Sequence, residues 1–234
     1  MDNIYLKGRH AHVYSPRITA AQSLPVIFAN DGDKVLDDIG AWLLVNEPAF
    51  VFVAIEPLDR LDDYTPWPVQ ALPGMVHDFG GQADAYLGWI GDCLIPHLEA
   101  NYPVRKDPAG RAMLGYSLGA LVANYALLTR SEYGTVMSCS ASYWYPEFLR
   151  FMDTHDLAVP FPEVYVSVGD REGVSAPGLI HSQVENTRIA RAWFERKLPP
   201  DKLTCINHPG DHFDQVDERL KAALKWFMHN RTIY

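Results

Sequence analysis

A chain of 234 residues that is 48% hydrophobic and 12% aromatic can bury a sizeable core, and one domain over 1–234 is expected. Its 20 basic and 29 acidic residues leave a net charge of −9, which argues against nucleic acid or an anionic membrane as the principal partner. Met1 to Leu6 lack signal-peptide blocks, no apolar run reaches membrane-spanning length, and Cys93, Cys139 and Cys205 show no paired spacing. Buried reduced thiols in a cytoplasmic protein are expected.

Residues 3–14 alternate around Lys7-Gly8-Arg9, which predicts a hairpin at a sheet edge. His10 and His12 share one face of it. Two such histidines could hold a metal, but no third and fourth ligand are grouped near them, so a plain surface strand face is expected. Leu24 to Asn30 reads as a buried strand, closed by the turn Asp31-Gly32-Asp33 before a helical stretch from Val35 to Leu44. Phe50 to Ile55 is a second continuous apolar strand, of the kind parallel sheets bury on both faces. Residues 56–82 follow as a long irregular stretch rich in Pro, Gly, Asp and aromatics. Loops of that length tend to be functional, and Arg60, Tyr64 and Trp67 are candidates for a pocket mouth.

Leu87, Ile90, Leu94 and Leu98 repeat at helical spacing, and Pro96 predicts a kink or break because it lacks a backbone donor. The short strand from Arg111 then runs into Gly115-Tyr116-Ser117-Leu118-Gly119 and out into the apolar run Ala120 to Leu128. A bare G-x-S-x-G arises by chance in roughly one chain in ten of this length, so context must carry it. Here the strand before, the helix after and ordered partners downstream predict a nucleophile elbow. Ser117 would sit on a strained turn with its hydroxyl exposed, and Gly115 and Gly119 would let the two backbones pass closely. Leu118 N–H is placed to donate to an oxyanion. The alternative is an ordinary strand–turn–helix whose serine merely caps the helix. The loop after the 24–30 strand would supply the second oxyanion donor, the backbone N–H of Asp33, with Gly32 allowing close approach; a simple Asp-Gly turn is the alternative.

Downstream, Thr135 to Ala141 predicts a strand whose end carries Ser142-Tyr143-Trp144-Tyr145, where open α/β sheets place ligands. Val164 to Val168 is the next strand and ends in Gly169-Asp170-Arg171-Glu172-Gly173. A helix from about Val184 to Lys197 and a strand from Lys202 to Asn207 lead to Pro209-Gly210-Asp211-His212-Phe213. The last helix has Val216, Leu220, Leu224 and Phe227 on its apolar face and Asp214 as its expected cap. Strand–helix alternation with Ser, acid and His in chain order is the α/β-hydrolase arrangement, a mostly parallel central sheet with helices on both faces. Ser117 needs a base within reach, and His212 is preferred over His208 because it lies between the last strand and the last helix. Glu172 and Asp170 share the turn that should supply the acid; Glu172 is preferred, and a Ser–His dyad is the remaining option.

On these residues the chain resembles the "Putative esterase" family of α/β-hydrolases, relatives of which include enterochelin and trilactone siderophore esterases, feruloyl esterases and S-formylglutathione hydrolases. The matching stretches are Phe28-Ala29-Asn30-Asp31-Gly32, Tyr64-Thr65-Pro66-Trp67, Leu94-Ile95-Pro96, the elbow, Gly169-Asp170-Arg171-Glu172 and Gly210-Asp211-His212-Phe213. The Gly-x-Arg-Glu stretch resembles the acid loop of siderophore esterases and so favours Glu172. Ala120 stands where the family usually has a second glycine. Longer members carry an extra N-terminal domain for which 234 residues leave no room, so a small general esterase fits better than a dedicated siderophore enzyme. The expectation is a serine carboxylesterase that works on small-molecule esters through an acyl-enzyme, with no metal or organic cofactor. Gly32, Arg60, Trp67, Tyr116 and Trp144 are its substrate-binding candidates. A siderophore trilactone esterase, an acyltransferase and a non-catalytic hydrolase-fold binding protein are the alternatives.

Overall fold

Continuous apolar runs build the middle of the sheet, and an alternating hairpin builds its edge. The computed structural model describes residues 1–17, 23–73, 75–176 and 178–230. β1 (Asp2–Leu6) and β2 (Arg9–Tyr14) form the antiparallel hairpin, with Lys7 and Gly8 both at positive φ in its turn. β3 (Val26–Asn30), α1 (Gly32–Asn46) and β4 (Val51–Ile55) follow, and every residue of β3 and β4 is buried. α2 (Arg60–Asp63), the two-residue strands β5 (Pro68–Val69) and β6 (Phe79–Gly80), α3 (Ala83–Trp89) and α4 (Ile95–Asn101) lead to β7 (Arg111–Tyr116). Then come α5 (Leu118–Thr129), β8 (Thr135–Cys139), α6 (Phe148–Thr154), β9 (Glu163–Gly169), α7 (Gln183–Lys197), β10 (Leu203–His208) and α8 (Val216–His229).

The eight-stranded sheet runs β1-β2-β4-β3-β7-β8-β9-β10 and is parallel from β4 to β10. Helices cover both faces. One apolar layer joins Val35, Ile39 and Leu43 of α1 with Leu220, Leu224 and Phe227 of α8; the other holds α3, α4, α5 and α7. Each such buried aliphatic or aromatic side chain is worth roughly 1.5–3 kcal/mol. This is the expected α/β-hydrolase architecture. It brings the ends of β3, β7, β8, β9 and β10 to one rim, where parallel sheets place their sites.

Several local expectations are corrected. Residues 56–82 are not structureless: α2 and the β5–β6 ladder lie within them, and the buried Arg9–Asp63 ion pair ties α2 to the sheet edge. The break at Pro96 takes the form of a π-helical segment, Ile90–Leu94, in which Ile95 N–H bonds to the Ile90 carbonyl. Pro96 has no N–H to give, and the wider turn absorbs that loss without ending the helix. Asp214 does not cap α8. Its carboxylate accepts from Asp211 N–H at 2.7 Å, and Gln215 takes the cap position at positive φ. Of the three free thiols only Cys139 is buried; Cys205 is exposed on the edge strand β10.

Candidate active site

Ser117 sits between β7 and α5 with φ 59° and ψ −121°, a conformation that a non-glycine residue holds only under constraint. The glycines around it make this crossing fit. A Cβ on Gly115 would lie 2.5 Å from Ala120 N and closer still to the Gly119 carbonyl, and one on Gly119 would lie 3.0 Å from Asp31 Oδ2. Ser117 N–H bonds to the Cys139 carbonyl at 3.0 Å, which docks the turn onto β8. Leu118 is the first residue of α5, so its N–H has no acceptor within the helix. Ser117 Oγ lies 3.3 Å from Ser142 Oγ.

Two cavities meet at this serine. One, of about 260 Å³, is lined by Asp31, Lys34, Arg60, Tyr116, Ser117 and His212, among others. The second, of about 370 Å³, is walled by Ser117, Trp144, Ile180, Gln183, His212 and Phe213, among others. Ser117 and His212 thus stand at a junction with room on either side.

His212 Nδ1 lies 2.8 Å from Glu172 Oε2. With the proton on Nδ1, the Nε2 lone pair is free to accept a proton. Glu172 is 1% exposed, and its other oxygen accepts from Ser140 Oγ at 2.6 Å, Gly169 N–H at 2.7 Å and Arg219 at 2.6 Å. Burial pushes the Glu172 carboxyl up most strongly. The hydrogen bonds from His212 and Ser140, the His212 charge and the Gly169 N–H together pull it further down, so it ends below its ordinary value. Asp170 does not reach His212; its carboxylate accepts from Gly210 N–H at 2.9 Å. His208 ends β10, and burial together with the Arg219 charge lowers its pKa.

Arg219 is the residue that periodicity missed. It is 0% exposed and lies on the inward face of α8, one position before Leu220. Its guanidinium donates to Glu172, to Tyr116 Oη at 2.9 Å and to the Asp211 carbonyl at 2.7 Å. Tyr116 Oη in turn donates to the His212 carbonyl at 2.7 Å, and burial pushes the phenol up to about 12, so it stays a neutral donor. Arg219 thereby ties Glu172 and the His212 loop together. A charged residue beside an apolar stripe carries no sequence signal of burial, because its side-chain partners Glu172 and Tyr116 lie 47 and 103 positions away.

The pocket candidates divide. Tyr116, Arg60 and Trp144 border Ser117's cavities, and Arg60 is paired with Asp31 at 2.6 Å. Tyr64 is wholly buried and accepts from Asp31 N–H, so it is no mouth residue. Trp67 is not brought to Ser117: its Nε1 donates to the Pro146 carbonyl, and its ring packs on Tyr145, Phe148 and Phe151. Asp33 is also a correction. Its N–H donates to the Glu56 carboxylate and its own carboxylate meets His12, because α1 already begins at Gly32 and turns this peptide toward the β4 end. Gly32 makes room for Glu56 rather than for a substrate, since a Cβ there would lie 2.9 Å from Glu56 N.

Residues 6–202 match the Esterase family, described as "Putative esterase". The chain belongs to that family. This esterase is accordingly a carboxylic ester hydrolase, and the match stops short of His212, whose place beside Glu172 is a matter of tertiary geometry. An uncharacterized protein, YbbA of Bacillus subtilis (strain 168), is 30% identical over 217 residues, spanning 89% of this chain and 87% of its own. Among solved structures, an IroE-like serine hydrolase from Shewanella oneidensis is similar with a TM-score of 0.76 at 18% identity, covering 94% of this chain and 75% of that one. The siderophore hydrolase EstA from Aspergillus nidulans is similar with a TM-score of 0.73 at 18% identity, covering 97% and 93%. Among the described residues no helix is long and apolar enough to cross a membrane.

Proposed function

We propose that this chain is a serine carboxylesterase for small esters, in which Ser117 is the nucleophile, His212 the general base and acid, and Glu172 the group that orients His212. The observation that carries this reading is the junction itself: Ser117 on a strained turn shares two cavities with a histidine whose far nitrogen lies 2.8 Å from a buried carboxylate. In the forward step His212 Nε2 takes the Ser117 proton as Oγ attacks the carbonyl carbon, and the developing oxyanion is met by Leu118 N–H at the start of α5. Collapse expels the alkoxide, which receives that proton from His212. Water then repeats the sequence on the acyl-enzyme, regenerating Ser117 and releasing the acid. Hydrogen bonds between nucleophile and base often tighten only once substrate is bound, which suits the present Ser117–Ser142 contact.

The two cavities that meet at Ser117 leave room for an acyl group on one side and an alcohol on the other. Hydrolysis of short p-nitrophenyl esters with fluorophosphonate labelling tests the proposal: label on Ser117 and turnover that falls with acyl length are expected. Turnover retained by Ser117→Ala would overturn it. A trilactone turned over faster than any short ester would move the substrate class to siderophores, and product formed on added alcohols or thiols in preference to acid would move the reaction to acyl transfer.

A further inference from the structure

Away from Ser117, three segments distant in sequence bring metal-ligating groups together at the sheet edge. His12 on β2, Asp33 at the start of α1 and Glu56 just after β4 offer one imidazole and two carboxylates whose donor atoms all lie within 4.8 Å of one another. Two donors bound to one zinc ion at about 2.0–2.2 Å each are separated by at most roughly 4.4 Å, so shifts on the scale of a side-chain rotation would close the set. His12 Nε2 approaches Asp33 Oδ1 at 2.7 Å, yet the approach lies outside hydrogen-bonding geometry and the nitrogen has no hydrogen-bond partner although it is shielded from solvent. The ring is braced by His10, edge-on at 4.3 Å, which is itself stacked on Tyr5.

The backbone is shaped to admit Glu56. Gly32 lacks the Cβ that would collide with the Glu56 backbone and carboxylate, and the Glu56 N–H is tied to the His10 carbonyl at 3.1 Å. The two carboxylates of this set repel each other, and a divalent cation would neutralise both. We propose that His12, Asp33 and Glu56 form a divalent transition-metal site with zinc as its best-fitting ion, water completing the coordination. An imidazole with two carboxylate oxygens is a donor set zinc accepts readily, and zinc stands above manganese and iron(II) in affinity for such ligands. The ion would join β2, β4 and the start of α1. Asp31, the residue before α1, lines the cavity of Ser117, so the site would brace one wall of that cavity.

Calorimetric titration of the EDTA-stripped full chain with zinc chloride tests this directly. One ion per chain is expected, together with a Tm rise of roughly 5–10 °C at zinc about a hundredfold above Kd. His12→Ala and Glu56→Gln should each weaken binding by at least about 10-fold and remove the Tm rise. Asp33→Asn should do the same without threatening the fold, since that side chain is 76% exposed. His212→Ala should bind zinc as the unaltered chain does. No binding, or binding that survives the three edge substitutions and vanishes in His212→Ala, overturns the site.

Discussion

The two flanks of Ser117 treat their carboxylates in opposite ways. Toward β9 and β10, both oxygens of Glu172 are engaged by His212, Ser140, Gly169 N–H and a fully buried Arg219. Toward β2 and β4, two carboxylates face each other across a histidine nitrogen with no hydrogen-bond partner. A carboxylate given a full set of donors is held ionised and immobile, which is what orienting an imidazole demands. The Asp33–Glu56 pair has one backbone donor, Asp33 N–H to Glu56, and leaves the other carboxylate oxygens free for a cation. The difference lies in donor count and not in burial alone, since desolvation pushes Glu172 toward neutrality and its hydrogen bonds reverse that.

The sharpest way to break this contrast is at the junction. Ser117→Ala should lower kcat on short esters by about 10⁴–10⁶-fold while leaving the Tm close to that of the unaltered chain, because only an oxygen is removed. The acid can be assigned next. Glu172→Gln should reduce kcat by about 10³–10⁴-fold through the wrong histidine tautomer, whereas Asp170→Asn, whose carboxylate accepts from Gly210 N–H and not from His212, should stay within a few-fold. Equal losses in both variants would contradict the assignment.

Arg219→Met tests whether donors or burial keep Glu172 charged. Removing the cation leaves a buried carboxylate short of its partner, with an expected loss of about 3–5 kcal/mol in chemical denaturation, partly recovered by Arg219→Lys. The pH dependence has a definite sign. The folded pKa of Glu172 lies below its ordinary value of 4.5, so its ionised form contributes stability that is present above that value and lost as pH falls through the folded value. Glu172→Gln should therefore flatten the acid side of the stability profile, below the ordinary carboxylate value. The smallest effect is expected at the cavity wall: Trp144→Ala, in the lining of the second cavity, should change KM and acyl-length preference by about tenfold and kcat less.

Local rules made a good part of this molecule legible. The elbow needed only Gly115, Ser117, Gly119 and the apolar runs on either side, because steric exclusion acts between neighbours in the chain. The strands β3 and β4 followed from unbroken apolar runs, β8 from its small and β-branched residues, and α8 from its apolar face at helical spacing. What the tertiary structure decided was every contact that closes over long separations. It set Glu172 rather than Asp170 beside His212, buried Arg219 against Tyr116, and sent Trp67 to the α6 side instead of the Ser117 cavities. It also turned Asp33 away from Ser117 toward His12 and Glu56, residues 21 and 23 positions from it. Periodicity reports which face of an element is apolar, but a polar group's partner depends on where the sheet order β2-β4-β3-β7 places distant chain segments, and that order follows from packing the whole core.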